Sequence, residues 1–220
     1  MTSPLVVAID GPSGSGKSST SRGVADRLKL SYLDTGAMYR AMTWALLQAG
    51  VDLNDADAVA SASERITLTS GTDPLAPTIH VDGTDVADPI RSDEITGSVS
   101  LVAAVPRVRE LLVSLQREAI AASDGIVVEG RDIGSVVAPD APVKIYLVAD
   151  AAARAARRAA ENGGADAAAT EAALAVRDQI DSTRTVSPLV QSEGAIVVDG
   201  THLTLDEVID TIAGIVESAT

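Results

Sequence analysis

The chain has 220 residues, of which 46% are hydrophobic and 22% are charged, so it can bury a sizeable core within one domain. Its 17 Lys and Arg against 31 Asp and Glu give a net charge of −14, which disfavours nucleic-acid polymers and membrane surfaces as partners. One Trp, three Tyr and no Phe leave little ring surface for stacking on single-stranded nucleic acid. The absence of cysteine excludes disulfides, thiolate zinc sites and a cysteine nucleophile.

The first residues do not resemble a secretory signal, because they lack a basic start and their apolar run from Leu5 to Ile9 ends at Asp10. A membrane-spanning helix needs about 20 apolar residues in succession. We therefore expect a cytoplasmic protein. The two histidines, His80 and His202, lack the spacing of metal ligands, so we expect no metal cage built from protein side chains.

Apolar runs of strand length alternate with helical segments along the chain. This alternation predicts an α/β fold, in which five parallel strands form a sheet with helices on both faces. Pro106 predicts the first turn of a helix that Gly125 stops, and Thr204 with Glu207 predicts a capping box at the start of the last helix. The predicted strands are Leu5 to Ile9, Ser31 to Leu33, Ile126 to Val128, Val143 to Val148 and Ala195 to Val198.

Two segments interrupt the alternation. Residues from about Arg65 to Ile90 read as short strands with a turn at Asp82-Gly83, which predicts a small antiparallel insertion. Residues from Asp150 to Arg184 are rich in alanine, and Asn162-Gly163-Gly164 predicts a flexible break between two helices there. Neither segment offers a strong apolar face, so we expect both to be appendages that move relative to the core.

A phosphate-binding loop is predicted between the first strand and the first helix, because the pattern G-x-x-x-x-G-K-[ST] occurs there. Its glycines let successive backbone N–H groups turn toward phosphate oxygens, and the following helix adds its positive end. In this motif Lys17 reaches the β- and γ-phosphates and Ser18 holds Mg²⁺. The sequence therefore predicts a nucleoside triphosphate with Mg²⁺ at Gly11, Pro12, Ser13, Gly14, Ser15, Gly16, Lys17, Ser18 and the adjoining Ser19.

Loops of this kind occur in switches, motors and small-molecule kinases. A GTPase switch needs Asn-Lys-x-Asp to read guanine, and both asparagines of the chain, Asn54 and Asn162, are followed by other residues. A motor or large ATPase usually brings more chain than this. A kinase with a phosphorylated acceptor explains more of the remaining features, because it needs a second anion site and cations around the transferred group.

Arginines supply candidates for that second site. Arg131 follows directly on a strand, at the sheet edge where open α/β sheets bind ligands. The alternative for each arginine is a solvated surface position with an ion pair, such as Glu161 with Arg157 or Arg158. The other candidates are Arg40, Arg107 and Arg109, then Arg154, Arg157 and Arg158 on one helix face, and Arg177 with Asp181 and Arg184 on another.

Five stretches, in order and at fitting spacing, resemble bacterial cytidylate kinase, a P-loop nucleoside monophosphate kinase. The resemblance spans nearly the whole chain, and the L-D-[ST]-G-A-x-Y-R and G-R-D-x-G stretches are far more specific than the phosphate-binding loop alone. It implies one P-loop kinase domain over residues 1–220, with a monophosphate-binding insertion at about 65–100 and a helical lid at about 154–184. The stretches are Gly11 to Ser18, Leu33 to Arg40, Val105 to Arg109, Glu129 to Gly134 and Val186 to Leu189.

The family pattern assigns roles residue by residue. It implies Lys17 and Arg131, with Arg154 and Arg158 of the lid, around the transferred group, and Arg157 beside ATP. Hydrogen bonds rather than ring stacking would then read the cytosine base, so we expect Tyr39 and Trp44 to pack in the core. Glu129 stands where Asp is equally familiar. Around the acceptor the resemblance places Thr35, Arg40, Ser100, Arg109, Arg131, Asp132, Arg177, Asp181 and Arg184.

The implied reaction is transfer of the γ-phosphoryl group of MgATP to CMP or dCMP by a monomeric enzyme. The acceptor oxygen is already anionic near neutral pH, so positioning and charge neutralisation should dominate, with no dedicated general base. Closure of the insertion and the lid would exclude water. Another monophosphate acceptor such as UMP, or a nucleotide-dependent switch, are the alternatives that the sequence leaves open.

Overall fold

The computed structural model describes residues 4–161, 166–184 and 186–219. Its strands are β1 (Leu5–Asp10), β2 (Ser31–Asp34), β3 (Leu68–Ser70), β4 (Ile79–Val81), β5 (Thr84–Asp85), β6 (Gly125–Gly130), β7 (Val143–Val148) and β8 (Ile196–Asp199). Its α-helices are α1 (Lys17–Leu28), α2 (Thr35–Gln48), α3 (Ala56–Ser63), α4 (Asp93–Ala103), α5 (Pro106–Ala121), α6 (Ala151–Glu161), α7 (Ala167–Thr183) and α8 (Leu205–Ala219). None of the described helices is long and apolar enough to cross a membrane.

The main sheet has the strand order β2-β6-β1-β7-β8, and every pairing in it is parallel. Successive residues of β1 point to opposite faces, so Val6 and Ala8 pack with α2, α4 and α5, whereas Val7 and Ile9 pack with α1 and α8. Helices therefore cover both faces, and the three-layer α/β fold and its five strands are confirmed.

Most of the predicted element ends are correct. Pro106 is the first residue of α5, and the Thr204 hydroxyl accepts the Glu207 N–H at 3.3 Å while Glu207 accepts the Thr204 N–H at 2.8 Å. Gly125 is not a helix stop. It is the buried first residue of β6, and a Cβ there would lie 2.8 Å from Leu30 Cδ2. The glycine is required by close packing of the sheet, which has no signature in the local sequence.

The small antiparallel sheet β3-β4-β5 forms where the sequence predicts it, with Asp82 and Gly83 at positive φ in its turn. Its first strand begins at Leu68, three residues after the predicted start of the insertion at about Arg65. The expectation of a weak apolar face is wrong, because the inner side chains join the core that packs around α2. This inner face consists of Leu68, Ile79, Val81, Val86 and Ile90.

Helices α6 and α7 occupy the alanine-rich segment as predicted. The break expected at Asn162-Gly163-Gly164 lies outside the described residues, as does the side chain of Glu161. Ala155, Ala159 and Leu174 are buried, so small side chains on α6 and one leucine on α7 contribute the buried apolar contacts of these helices.

Candidate active site

A cleft opens at the carboxyl ends of β1, β2 and β6, the edge where open parallel sheets bind ligands. It holds about 970 Å³ of empty space, part of which is open to solvent. Its carboxylates are Asp34, Glu129, Asp132 and Asp181. Cations outnumber them, so the cleft favours anions although the whole chain carries a charge of −14. The cationic lining residues are Lys17, Arg40, Arg109, Arg131, Arg158, Arg177 and Arg184.

The loop between β1 and α1 has the backbone that its glycines predict. A Cβ at Gly11 would lie 2.1 Å from the Leu147 carbonyl oxygen, and Gly16 adopts a left-handed φ of 89° just before α1 begins. The buried Lys17 ammonium donates to the Pro12 carbonyl at 2.6 Å and lies 3.4 Å from the Ser15 hydroxyl. Burial, and then Arg131, lower the pKa of Lys17 well below its ordinary value. The ammonium is thus held in a crowded cationic region.

Asp10 ties this loop to the chain that follows β6. Its two carboxylate oxygens accept the backbone N–H groups of Ile133 and Gly134, each at 2.8 Å. Burial raises the pKa of Asp10 to about 6, and the two N–H groups oppose that rise. These bonds fix the turn Ile133–Val137 directly behind Arg131 and Asp132.

A second carboxylate stands beside the loop because β2 and β6 pair in register, which places Asp34 next to Glu129. The Tyr32 hydroxyl donates to Glu129 Oε1 at 2.7 Å, whereas the buried Oε2 has no hydrogen-bond partner among the described residues. Burial, and then Asp34, raise the pKa of Glu129 to about 7. Asp34 caps α2 by accepting the Ala37 N–H at 2.7 Å.

The far side of the cleft is built from ion pairs that join different elements. Arg109 of α5 pairs with Asp132, with both side chains almost fully buried, and Arg184 lies 3.9 Å from the same carboxylate. Arg131 pairs with Asp181 of α7 at 3.0 Å. The pKa of Asp181, which burial alone would raise, is held below its ordinary value by Arg131 and Arg177.

Polar side chains from α2 and α4 complete this side. The Ser100 hydroxyl lies 3.2 Å from Asp181 Oδ1, and the Thr35 hydroxyl donates to the Glu129 carbonyl at 2.7 Å. The Arg109 guanidinium lies 5.5 Å from the Tyr39 ring centroid, a cation–π distance. Tyr39 is buried as predicted, but it also lines the cleft, and its hydroxyl has no partner among the described residues.

The family model for cytidylate kinase matches residues 7–218 of the chain. A cytidylate kinase of Streptomyces griseus is 56% identical over 216 residues, covering 98% of this chain and 94% of the relative. One of Nocardia farcinica is 54% identical and covers 97% and 94% of the two chains. The chain belongs to the cytidylate kinase family.

Solved structures of more distant proteins support the fold of this cytidylate kinase family member. A gluconokinase from Sinorhizobium meliloti superposes with a TM-score of 0.53 at 15% identity, over 100% of this chain and 95% of that one. An uncharacterized protein from Eubacterium ventriosum gives a TM-score of 0.54 at 13% identity, over 97% and 98%. At these identities the likeness concerns the fold alone.

The cleft brings together most of the residues predicted from the cytidylate kinase resemblance. Predicted residues outside its lining are Gly11, Pro12 and Ser15, which are internal to the loop, and Arg154 and Arg157. Arg154 pairs with Asp178 and donates to the Ser13 carbonyl, and Arg157 donates to the carbonyls of Ser15 and Gly200. The predicted residues in the lining are Ser13, Gly14, Gly16, Lys17, Ser18, Ser19, Thr35, Arg40, Ser100, Arg109, Arg131, Asp132, Arg158, Arg177, Asp181 and Arg184.

Four polar side chains that the sequence did not assign to the site line the cleft or contact its loop. Asp34, Tyr39 and Glu129 line the cleft, and Asp178 contacts the phosphate-binding loop. Asp34 and Glu129 each occur at or near the carboxyl end of a parallel strand, which is a signal that identifies ligand-side residues. Asp178 has no such signal, because its place depends on how α7 packs.

Proposed function

We propose that the chain transfers the γ-phosphoryl group of ATP, bound with Mg²⁺, to the phosphate of CMP or dCMP, giving ADP and CDP or dCDP. The observation that carries the proposal is that the phosphate-binding loop and a second arginine cluster converge in one cleft of a cytidylate kinase family member. A kinase with a phosphorylated acceptor needs two such anion sites side by side.

The donor side fits a triphosphate with Mg²⁺. The Lys17 ammonium and the N-terminal end of α1 supply positive charge, and the exposed Ser18 is the second residue of that helix. Ser18 is the proposed ligand of Mg²⁺, and the neighbouring Glu129 carboxylate is the matching anionic group, since this ion prefers hard oxygen ligands. When bound, Mg²⁺ would neutralise charge on the phosphates.

The acceptor side would hold the monophosphate and leave its oxygen as the nucleophile. Arg40, Arg131 and Arg177 are proposed to position and neutralise this phosphate, so no general base is assigned. Ser100 and Asp132 are proposed to offer hydrogen bonds to the nucleoside. A chain with so few aromatic residues depends on such polar contacts for base selectivity.

We further propose that residues 65–100 form the monophosphate-binding insertion and residues 154–184 the lid of this single domain. Arg158 and Arg177 line the cleft from α6 and α7, which supports a role for these two helices over the phosphates. Only small rearrangements of the insertion are expected, because its inner face is part of the core. A cytoplasmic location and a monomeric state stay predictions.

The deciding experiment measures ADP formation from MgATP with CMP, dCMP, UMP, AMP and GMP as separate acceptors. We expect rapid acceptor-dependent ADP formation with CMP and dCMP and little with the purine monophosphates. A strong preference for UMP or AMP would replace the proposed acceptor. Tight nucleotide binding without ADP formation for any acceptor would refute the kinase and favour a switch.

A further inference from the structure

Helices α6 and α7 contact the phosphate-binding loop chiefly at Ser13, and Arg157 of α6 adds a bond to the Ser15 carbonyl at 3.4 Å. The Ser13 N–H donates to Asp178 Oδ1 at 3.1 Å, and its carbonyl accepts from Arg154 Nη1 at 3.0 Å. The Arg177 guanidinium lies 3.5 Å from its hydroxyl. Every polar group of Ser13 therefore faces a side chain from this helical pair, which makes Ser13 the docking point.

The packing at the same place is tight. A Cβ at Gly14 would lie 3.1 Å from the Arg154 carbonyl oxygen and 3.3 Å from Leu174 Cδ1. Leu174 is itself buried. Gly14 thus lets both helices approach the loop backbone closely. The hydrogen bonds at Ser13 are therefore part of a packed interface.

When helices α6 and α7 dock on the loop, their arginines come close to other cations, and nearby carboxylates must offset the repulsion. Helices α6 and α7 carry Arg158 and Arg177 into a cleft that already contains Lys17 and Arg131. Burial, and then Arg131, lower the pKa of Arg177 to about 10, which reflects this crowding. Asp181 compensates at the acceptor end by pairing with Arg131. Asp178 supplies the corresponding negative charge at the loop end.

We propose that Asp178 is a positioning residue of the phosphoryl transfer, which docks the helical pair on the phosphate-binding loop through Ser13 and Arg154 and so holds Arg158 and Arg177 over the cleft. The role of Asp178 in phosphoryl transfer rests on the proposed function, whereas its role in docking the helices does not. Arg154 then acts on the loop rather than on the transferred group. The Ser13 N–H is likewise committed to a carboxylate and not to a phosphate.

The test compares Asp178→Ala and Asp178→Asn with Glu171→Gln, which removes an acidic charge from an exposed position on the same helix. Steady-state kinetics would give kcat and the KM values for ATP and CMP, and calorimetry would give ADP affinity without turnover. We expect Asp178→Ala to lower kcat/KM for ATP by about 100-fold and ADP affinity by about tenfold, with a smaller change in KM for CMP. The kcat/KM for ATP and the ADP affinity of Asp178→Asn should lie between those of the parent and of Asp178→Ala, because the asparagine carbonyl still accepts the Ser13 N–H. Glu171→Gln should match the parent protein.

A double-variant cycle with Arg154→Ala separates positioning from general stability. If Asp178 acts through Arg154 and the loop, the two losses in ADP affinity should not add. The proposal would be overturned if kcat/KM for ATP and ADP affinity of Asp178→Ala stayed within twofold of the parent values. It would also be overturned if the losses in ADP affinity were fully additive in a double variant whose Tm is unchanged. ADP binding needs no acceptor, so a chain that fails to phosphorylate CMP but loses ADP affinity on Asp178→Ala would refute the proposed function and leave the docking role standing.

Discussion

Arg107 and Arg109 lie two residues apart on α5, yet only Arg109 reaches the cleft. Arg107 is exposed and pairs with Glu64 and Glu110, whereas Arg109 pairs with Asp132 in a buried site over the Tyr39 ring. A helix turns by about 100° per residue, so such a separation directs side chains to different faces. The two arginines therefore form a matched pair for testing the acceptor site.

We predict that Arg109→Met raises the KM for CMP by about 100-fold, because it removes a buried cation from the proposed acceptor side of the cleft, and that it lowers stability, because Asp132 is left with the more distant Arg184. Removing one partner of a buried ion pair typically lowers the free energy of unfolding by about 3–5 kcal/mol. Steady-state kinetics with CMP varied at saturating ATP would measure the effect, and the Tm would report the loss of stability.

Arg107→Met is the control for this prediction, since an exposed ion pair contributes at most about 1 kcal/mol. Its KM for CMP should stay within twofold of the parent value. Equal changes for the two variants would remove Arg109 from the acceptor site.

The buried Glu129 should make the free energy of unfolding depend on pH. Its pKa is raised from 4.5 in the unfolded chain to about 7 in the folded one, chiefly by burial. The folded state therefore binds the proton more tightly, so stability is lost as pH rises from about 4.5 through 7 and the buried carboxyl ionises. The full shift corresponds to about 3 kcal/mol.

Glu129→Gln should remove this loss, because the neutral amide still accepts from the Tyr32 hydroxyl. We expect the variant to gain several degrees in Tm over the parent at pH 8 and little at pH 5, with EDTA present to exclude metal. The measurement is thermal unfolding at both pH values. A gain of the same size at both would show that ionisation of Glu129 is not the cause.

At the scale of elements, two glycines allow a test of backbone strain without any change in packing. Gly83 has φ +82° in the turn between β4 and β5, and Gly214 lies inside α8. A Cβ would meet nothing within 4 Å at either position. We predict that Gly83→Ala destabilises by about 1 kcal/mol, since a side chain disfavours left-handed backbone.

Gly214→Ala should instead stabilise by about 0.5–1 kcal/mol, because alanine loses less entropy than glycine in a helix. For a chain of this size the shifts in Tm should be roughly 2–4 °C and of opposite sign. Thermal unfolding of the two variants beside the parent protein would measure them. A loss of Tm in both would mean that free space at Gly214 does not suffice for the substitution.

The sequence predicted the strands of the main sheet well because their signal is local. Runs such as Leu5 to Ile9 are long enough, and buried enough on both faces, to be recognised without knowledge of their neighbours. Gly125 shows the limit of that approach, since its role depends on Leu30 of another element. The apolar face of the insertion was missed for a related reason. Its buried residues are spread over the two short strands β3 and β4, the residue that follows β5 and a single 3₁₀ turn, and none of these is periodic for long.

The same limit applies to the candidate site. Arg154, Arg157 and Arg158 share a helix face by spacing, but only Arg158 lines the cleft, because the first two are satisfied by loop carbonyls and Asp178. Spacing predicts the face of a helix and not the partner that each long side chain finds. Motifs that combine backbone geometry with a side chain, as at Gly16 and Lys17, were predicted more reliably.

For the whole molecule, the charge distribution matters more than the net charge of −14. Four of the 31 acidic side chains line the cleft, against seven of the 17 cationic ones. Within that cleft the pKa values of Lys17, Arg177 and Arg184 are all lowered, first by burial and next by a neighbouring arginine. The folded state thus holds repelling cations that an anion would relieve.

We predict that sulfate stabilises the folded chain by binding in this cleft. A ligand at ten times its Kd adds about 1.4 kcal/mol to the free energy of unfolding, which for this chain length is a rise in Tm of roughly 3–6 °C. Thermal unfolding with sulfate and with chloride at equal ionic strength would measure the difference. Sulfate also stabilises proteins in general by exclusion from their surfaces, so Lys17→Ala is needed as the comparison.

That variant keeps the general effect of sulfate and loses a cation of the loop. Its rise in Tm with sulfate should fall to less than half of the parent's rise. An equal gain in the parent and in Lys17→Ala would place the stabilisation outside the cleft.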